Sequence, residues 1–132
     1  MKKFLKNVNI LFLLIIILIF NACKSQVIVD DDLSPAELIQ RAQEATDRNR
    51  YSVAMQYYEA LYERNRNNID LVITAEYEIA FIHYKQKNYA QAREGFNSLL
   101  DYYNSPDQEL LPQQFKVLAN IVLKRIDEIE SK

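Results

Sequence analysis

The sequence predicts an all-α protein built as a stack of two helical hairpins closed by one C-terminal helix. Three observations carry that prediction. The chain includes one Gly and three Pro, too few for the turns of a β-rich fold and for a phosphate-cradling loop. From Ser34 onward the chain repeats itself at a fixed spacing, the distance from Ala42 to Ala80 or from Tyr51 to Tyr89. Apolar residues in that part recur every three or four positions, the period of a helix with one buried face. The chain is 49% hydrophobic and 26% charged, so it is no disordered tail. Its length, 132 residues, suits one domain.

The first element is an address. Lys2, Lys3 and Lys6 precede an unbroken apolar run, Ile10–Phe20, and Asn21-Ala22-Cys23 follows. A basic start, a short apolar stretch and a small residue before a break describe a secretory signal. A spanning helix usually needs about 20 apolar residues, and an uncleaved, slightly short anchor is the alternative. Cys23 is the only cysteine, so neither a disulfide framework nor, with a single histidine, a zinc site is expected. Ala22-Cys23 resembles the bacterial lipobox, with departures at Phe20 and Asn21. That resemblance implies an acylated thiol on Cys23 and cleavage before it. Residues 1–22 are then a lipoprotein signal peptide, 23–33 the lipidated cysteine and a tether, and 34–132 the folded domain.

Cleavage there removes three of the 16 basic side chains and none of the 18 acidic ones, so the remaining chain is clearly acidic. That balance argues against nucleic-acid binding. It also argues against adhesion to anionic lipid by surface charge, since the acyl chains would do the anchoring. Lys24–Leu33 lacks a helical period and ends near Asp30-Asp31-Asp32, so it reads as a tether. By the sorting behaviour of lipoproteins it resembles, Lys24 directly after the cysteine favours the outer membrane over the inner one.

Ser34-Pro35-Ala36-Glu37 opens the first helix, with Ser34 as cap, Pro35 at the first helical position and Glu37 closing a capping box. Ala42 recurs as Ala80, Tyr51 as Tyr89, Ala54 as Ala92, Tyr58 as Phe96, and Leu61 as Leu99. The alanines allow close helix approach, and the tyrosines begin the second helix of each pair. Helices are expected at about 35–48, 51–65, 70–87, 90–103 and 112–130, with ends placed to within ~2–4 residues. The last carries Phe115, Leu118, Ala119, Val122, Ile126 and Ile129 as its apolar face, and it reads as a cap on the open end of the stack. This order of small residue, aromatic at the turn, Ala, aromatic and apolar residue resembles the tetratricopeptide repeat. The usual period there is about 34, and the extra residues of this chain fall in the Asn65–Asp70 connection. The Trp and Gly usual in the first helix of a repeat are missing.

No residue set reads as catalytic, so an enzyme is not expected. His83 is the lone histidine, and pairs such as Glu59 with Glu63 or Asp70 with Glu76 are common on helix surfaces. A sharper feature is Tyr77, Phe81, Tyr84 and Lys85 on the third helix, spaced i, i+4, i+7 and i+8. In the repeat family these positions line the concave groove, which makes them the candidate partner-binding groove. Burial of the stripe under the last helix is the alternative. Arg48, Arg50, Arg64 and Arg66 sit at helix ends and form a basic contact edge if those ends come together.

Pro35-Ala36-Glu37-Leu38, Tyr51-x-x-Ala54, Tyr58-Glu59-x-Leu61, Ala75-x-Tyr77-x-Ile79-Ala80, Tyr84-Lys85 and Tyr89-x-x-Ala92, with Phe96, together resemble the N-terminal repeats of the BamD family of lipoproteins. The resemblance covers about residues 34–103 and the lipidated start. The family usually has about five repeats, and contacts made by its C-terminal repeats have no counterpart here. The resemblance implies a non-enzymatic, lipid-anchored scaffold at the periplasmic face of the outer membrane. Its partner would be the barrel-inserting protein of β-barrel assembly, with no nucleic acid, small-molecule substrate or metal, and no cofactor beyond the lipid on Cys23. A lipid-anchored adaptor for a transporter or secretion pore, or a surface-exposed binding lipoprotein, are the alternatives.

Overall fold

A computed structural model describes residues 26–132, and the described residues form five α-helices. They are α1 (Pro35–Asp47), α2 (Tyr51–Arg64), α3 (Ile69–Lys85), α4 (Tyr89–Asp101) and α5 (Gln113–Glu130). Short 3-10 turns at Tyr102–Asn104 and Gln108–Leu110 join α4 to α5. The described residues are thus an all-α hairpin stack, α1 against α2 and α3 against α4, with α5 packed on α4 and α3. The signal segment and Cys23 lie outside the described residues.

The start of α1 follows its sequence closely. The Ser34 Oγ accepts from the Glu37 N–H at 3.4 Å, and the Ser34 N–H and O–H both donate to Glu37 Oε2. Those bonds hold the Glu37 carboxyl below its usual range.

The sequence repeat also holds in the backbone. Each hairpin turns through a residue of positive φ, Asn49 at 55° and Lys87 at 63°. Around each, the same bond forms: Arg50 N–H to the Ala45 carbonyl at 2.8 Å, and Asn88 N–H to the His83 carbonyl at 2.9 Å. Asn tolerates the left-handed region because its short polar side chain bonds locally, whereas Lys has no such compensation. The Tyr51 hydroxyl donates to Asn49 Oδ1 at 2.7 Å, so the aromatic that begins α2 braces its own turn.

The core has two halves that share α3. In the first, Leu38 and Ala42 of α1 meet Ala54, Tyr58 and Leu61 of α2, with Ala75 and Ile82 of α3 behind them. In the second, Ala80 of α3 and Ala92, Phe96 and Leu99 of α4 meet Ala119, Val122 and Ile126 of α5. The repeated alanines are fully buried or nearly so, where only a methyl fits between the helices. Gly95 carries this further. A Cβ built there would stand 2.9 Å from the Ala80 Cβ, so α3 and α4 touch through a missing side chain.

Three expectations are adjusted. The fourth helix ends as an α-helix at Asp101 and tightens into the 3-10 turn Tyr102–Asn104, because the Tyr103 hydroxyl is drawn down to the Pro112 carbonyl at 2.7 Å. On α5, Leu118 and Ile129 are exposed while Ala119, Val122 and Ile126 are buried. The apolar stripe is wider than the contact with α3 and α4. Finally, residues 27–33 are no loose tether. Val27, Val29 and Leu33 pack on the first hairpin, while Ile28 between them is 90% exposed, the alternation of an extended segment. The Val27 N–H donates to Gln56 Oε1 at 3.0 Å. The Arg64 guanidinium donates to the carbonyls of Val29 and Asp30 at 3.1 and 2.9 Å and pairs with Asp31. The segment is a strap laid along α2.

Candidate functional site

Helix α3 presents two faces, and the residues selected from the sequence divide between them. Tyr77, Phe81, Tyr84 and Lys85 lie on the face toward α5. Their rings form one continuous ladder: Tyr77 to Phe81 at 5.9 Å, Phe81 to Tyr84 at 5.8 Å, and Tyr84 to Tyr89 at 6.1 Å. The ladder is closed at one end. Tyr77 stands 5.0 Å from Phe115 of α5 and 5.6 Å from Phe96 of α4, and it is buried. Tyr77 is therefore core and no groove residue, because α5 folds over that part of the stripe. Burial also pushes its hydroxyl up to about 12. Phe81 and Tyr84 are half-buried and Lys85 is exposed, with its Nζ 5.7 Å above the Phe81 ring. These three form the accessible remnant of the predicted groove.

The four arginines do not form one edge. Arg48 and Arg50 flank the α1–α2 turn, whereas Arg64 and Arg66 lie at the far end of α2. A helix of 14 residues separates the pairs, about 21 Å at 1.5 Å per residue. Arg64 is occupied by the strap. Arg66 pairs with Glu63 at 2.6 Å and stacks over Tyr62 at 5.5 Å.

The other face of α3 forms the floor of an open groove of about 420 Å³ between α2 and α4. Tyr62, Glu76, Ile79, His83, Glu94 and Gly95 are among its lining residues. The absent Gly95 side chain helps to keep it open. Glu76 Oε1 accepts from the Tyr102 hydroxyl at 3.0 Å, while its Oε2 and the His83 Nδ1 are buried with no hydrogen-bond partner among the described residues. Glu76 and His83 are seven residues apart on one helix, about 10 Å along the axis, and form no pair. Burial raises the Glu76 carboxyl above its ordinary value, with the Tyr102 bond opposing it, and burial raises Glu78 likewise, opposed by Lys85.

A raised carboxyl favours the protonated form in the fold. Its penalty is absent below the ordinary value near 4.5 and grows as pH rises through the folded one. Glu76→Gln keeps an acceptor for Tyr102 and removes the charge. The variant is expected to gain stability over the wild type as pH rises from 4.5 toward 7, with no gain at pH 4. Urea denaturation across that range checks it, and a gain that is equal at both ends would contradict the assignment.

Sequence reasoning treats Glu76 only as a helix-surface carboxylate beside Asp70, and it assigns Gly95 no role. The i, i+4 spacing of Glu76 and Ala80 is the available signal, but only the approach of α4 turns it into a groove. A further surface also appears on α5. Val117, Leu118, Ile121 and Ile129 are 58%, 40%, 45% and 42% exposed, and they adjoin the stripe that packs on α4. Among the described residues no helix is long and apolar enough to cross a membrane.

No protein-family model and no solved structure matches the chain. A protein of Treponema pallidum (strain Nichols), described as an uncharacterized protein, is 35% identical over 98 residues, which are 74% of this chain. The chain spans 39% of that relative's length.

Proposed function

We propose that this chain is a non-enzymatic, lipid-anchored scaffold of tetratricopeptide type that holds envelope proteins, acting in outer-membrane β-barrel assembly. The observation that carries the interaction role is the exposed apolar face of α5, with Val117 and Ile121 at its centre. Contiguous exposed apolar residues beside a filled core mark contact surfaces. Phe81, Tyr84 and Lys85 supply a second, smaller one. The anchoring role is supported by Ala22-Cys23 at the end of the apolar run. The assembly role is supported by the resemblance of residues 34–103 to the BamD repeats.

Affinity purification of the full chain from membranes in mild detergent tests this. Recovery of a barrel-assembly protein is expected, with loss of that recovery on Ile121→Glu. Failure to recover one overturns the assembly role. Recovery of a transporter or secretion-pore component in its place moves the scaffold to that complex.

A further inference from the structure

The hairpin stack is electrically polarised along its length. Its two turns, 48–50 and 86–88, lie at one end, because α1 and α3 run toward it and α2 and α4 run away. Arg48, Arg50, Lys85 and Lys87 are all exposed there. Among the described residues none of the four forms an ion pair. The acids on this side are Glu44 and Asp47 in the last turn of α1 and Glu59 of α2, which shares a groove with Gln86 and Asn88. On the α5 side Asp127 and Glu130 are taken up by Arg93 at 2.8 and 2.6 Å, leaving Glu128. The opposite end carries Asp70, Asp101, Asp107 and Glu109, with Asp30 and Asp31 beside arginines. Acids therefore outnumber cations at the end away from the turns.

The strap emerges at the basic end. Gln26 shares a groove with Tyr51, Ser52, Gln86 and Asn88, and Val27 is bonded to Gln56 one turn further along α2. From there the strap runs to Arg64 at the acidic end before α1 begins. Cys23 is three residues before Gln26, a reach of at most about 11 Å for extended chain. The acidic end lies the 14-residue length of α2 beyond the turns, about 21 Å. That exceeds two Debye lengths at physiological ionic strength, each about 8 Å. An anionic surface at the turns would thus feel the cations and be screened from the acids.

We propose that the turn end, with Arg48, Arg50, Lys85 and Lys87, is a docking surface for anionic phospholipid headgroups, held there by the strap from Cys23. This rests on Cys23 being the lipid attachment point. It refines the expectation drawn from net charge, because the sign that matters is local. The stack then stands on its turns, with the acidic end directed away from the bilayer.

The test uses the full chain recovered from bacterial membranes and placed in vesicles of two parts phosphatidylcholine to one part phosphatidylglycerol. A maleimide fluorophore is attached at Ser52→Cys on the basic end or at Asn104→Cys on the other, and quenched by a headgroup nitroxide lipid. Quenching at the first site is expected to exceed that at the second at least threefold. In high salt, or with Arg48→Gln, Arg50→Gln and Lys87→Gln combined, the difference should shrink toward equality. Equal quenching at low salt, or a preference unmoved by salt and by the triple substitution, overturns the docking surface. Fluorophore uptake by the parent chain at Cys23 would instead refute the lipid attachment, a separate result.

Discussion

Phe96→Ala is expected to destabilise the fold by about 3–5 kcal/mol, the range for truncating a buried aromatic. Phe96 is fully buried and stands where α3, α4 and α5 meet. Its ring is 5.6 Å from Tyr77, which leans in turn on Phe115 at 5.0 Å. Removing it takes away the ring that seats Tyr77, and with it the contact that brings α5 onto the stack. The site has little means of collapse, because Ala80, Ala92 and Gly95 around it have no longer side chains to move in. A domain of this size is stabilised by about 5–15 kcal/mol in total. The loss should lower Tm by more than about 12 °C, taking at least about 4 °C for each kcal/mol. Thermal and urea unfolding check it. A cost under about 1 kcal/mol would mean that α5 and Tyr77 are not packed as described.

The equivalent residue of the first hairpin shows why the repeat is approximate. Tyr58 is as buried as Phe96, but its hydroxyl has no hydrogen-bond partner among the described residues, and burial drives its proton affinity far up. The packing role is shared, and the polar tip is an addition specific to the first hairpin.

What was legible in the chain was whatever depends on neighbours along it. Ser34, Pro35 and Glu37 specify the start of α1 locally, and the capping box forms. The paired alanines and aromatics specify hairpins because helical period and short turns leave few other ways to bury them. The turns at Asn49 and Lys87 repeat because the same positions feed the same geometry. What was not legible depends on contacts between distant parts. Arg64 looks like a solvated helix end until the strap, from before the first helix, lies against it. The β-branched run Val27-Ile28-Val29 is a signal for an extended segment, though too short to distinguish a strap from a spacer, and which of the three face the hairpin is not written in it. Tyr77 and Phe81 are alike in spacing and type, yet α5 covers only the first. Which part of a stripe a capping helix reaches is set by the α4–α5 connection, whose 3-10 turns have no periodic signature. The candidate groove was hidden for the same reason, since Glu76, His83 and Gly95 become one surface only across α3 and α4.

Gly95→Leu is expected to cost about 3 kcal/mol, the upper part of the range for overpacking a close helix interface. The first added atom alone would meet the Ala80 Cβ at 2.9 Å, closer than non-bonded carbons approach. The remaining atoms must enter the groove or push α4 from α3, and pushing them apart also unseats Phe96 one residue on. Glycine in a helix interior is itself unfavourable by about 1 kcal/mol relative to alanine, so Gly95→Ala tests the contact more finely. Propensity favours the alanine and the 2.9 Å contact opposes it, and the two should nearly cancel. Ala80→Gly removes the opposing methyl. In the double variant, Gly95→Ala should therefore be worth more than in the parent chain, a coupling of about 1 kcal/mol in a double-mutant cycle. Additive effects would place the two residues out of contact. With coupling present, the sole glycine of the chain is explained by the distance between two helices, and no turn or ligand is needed to account for it.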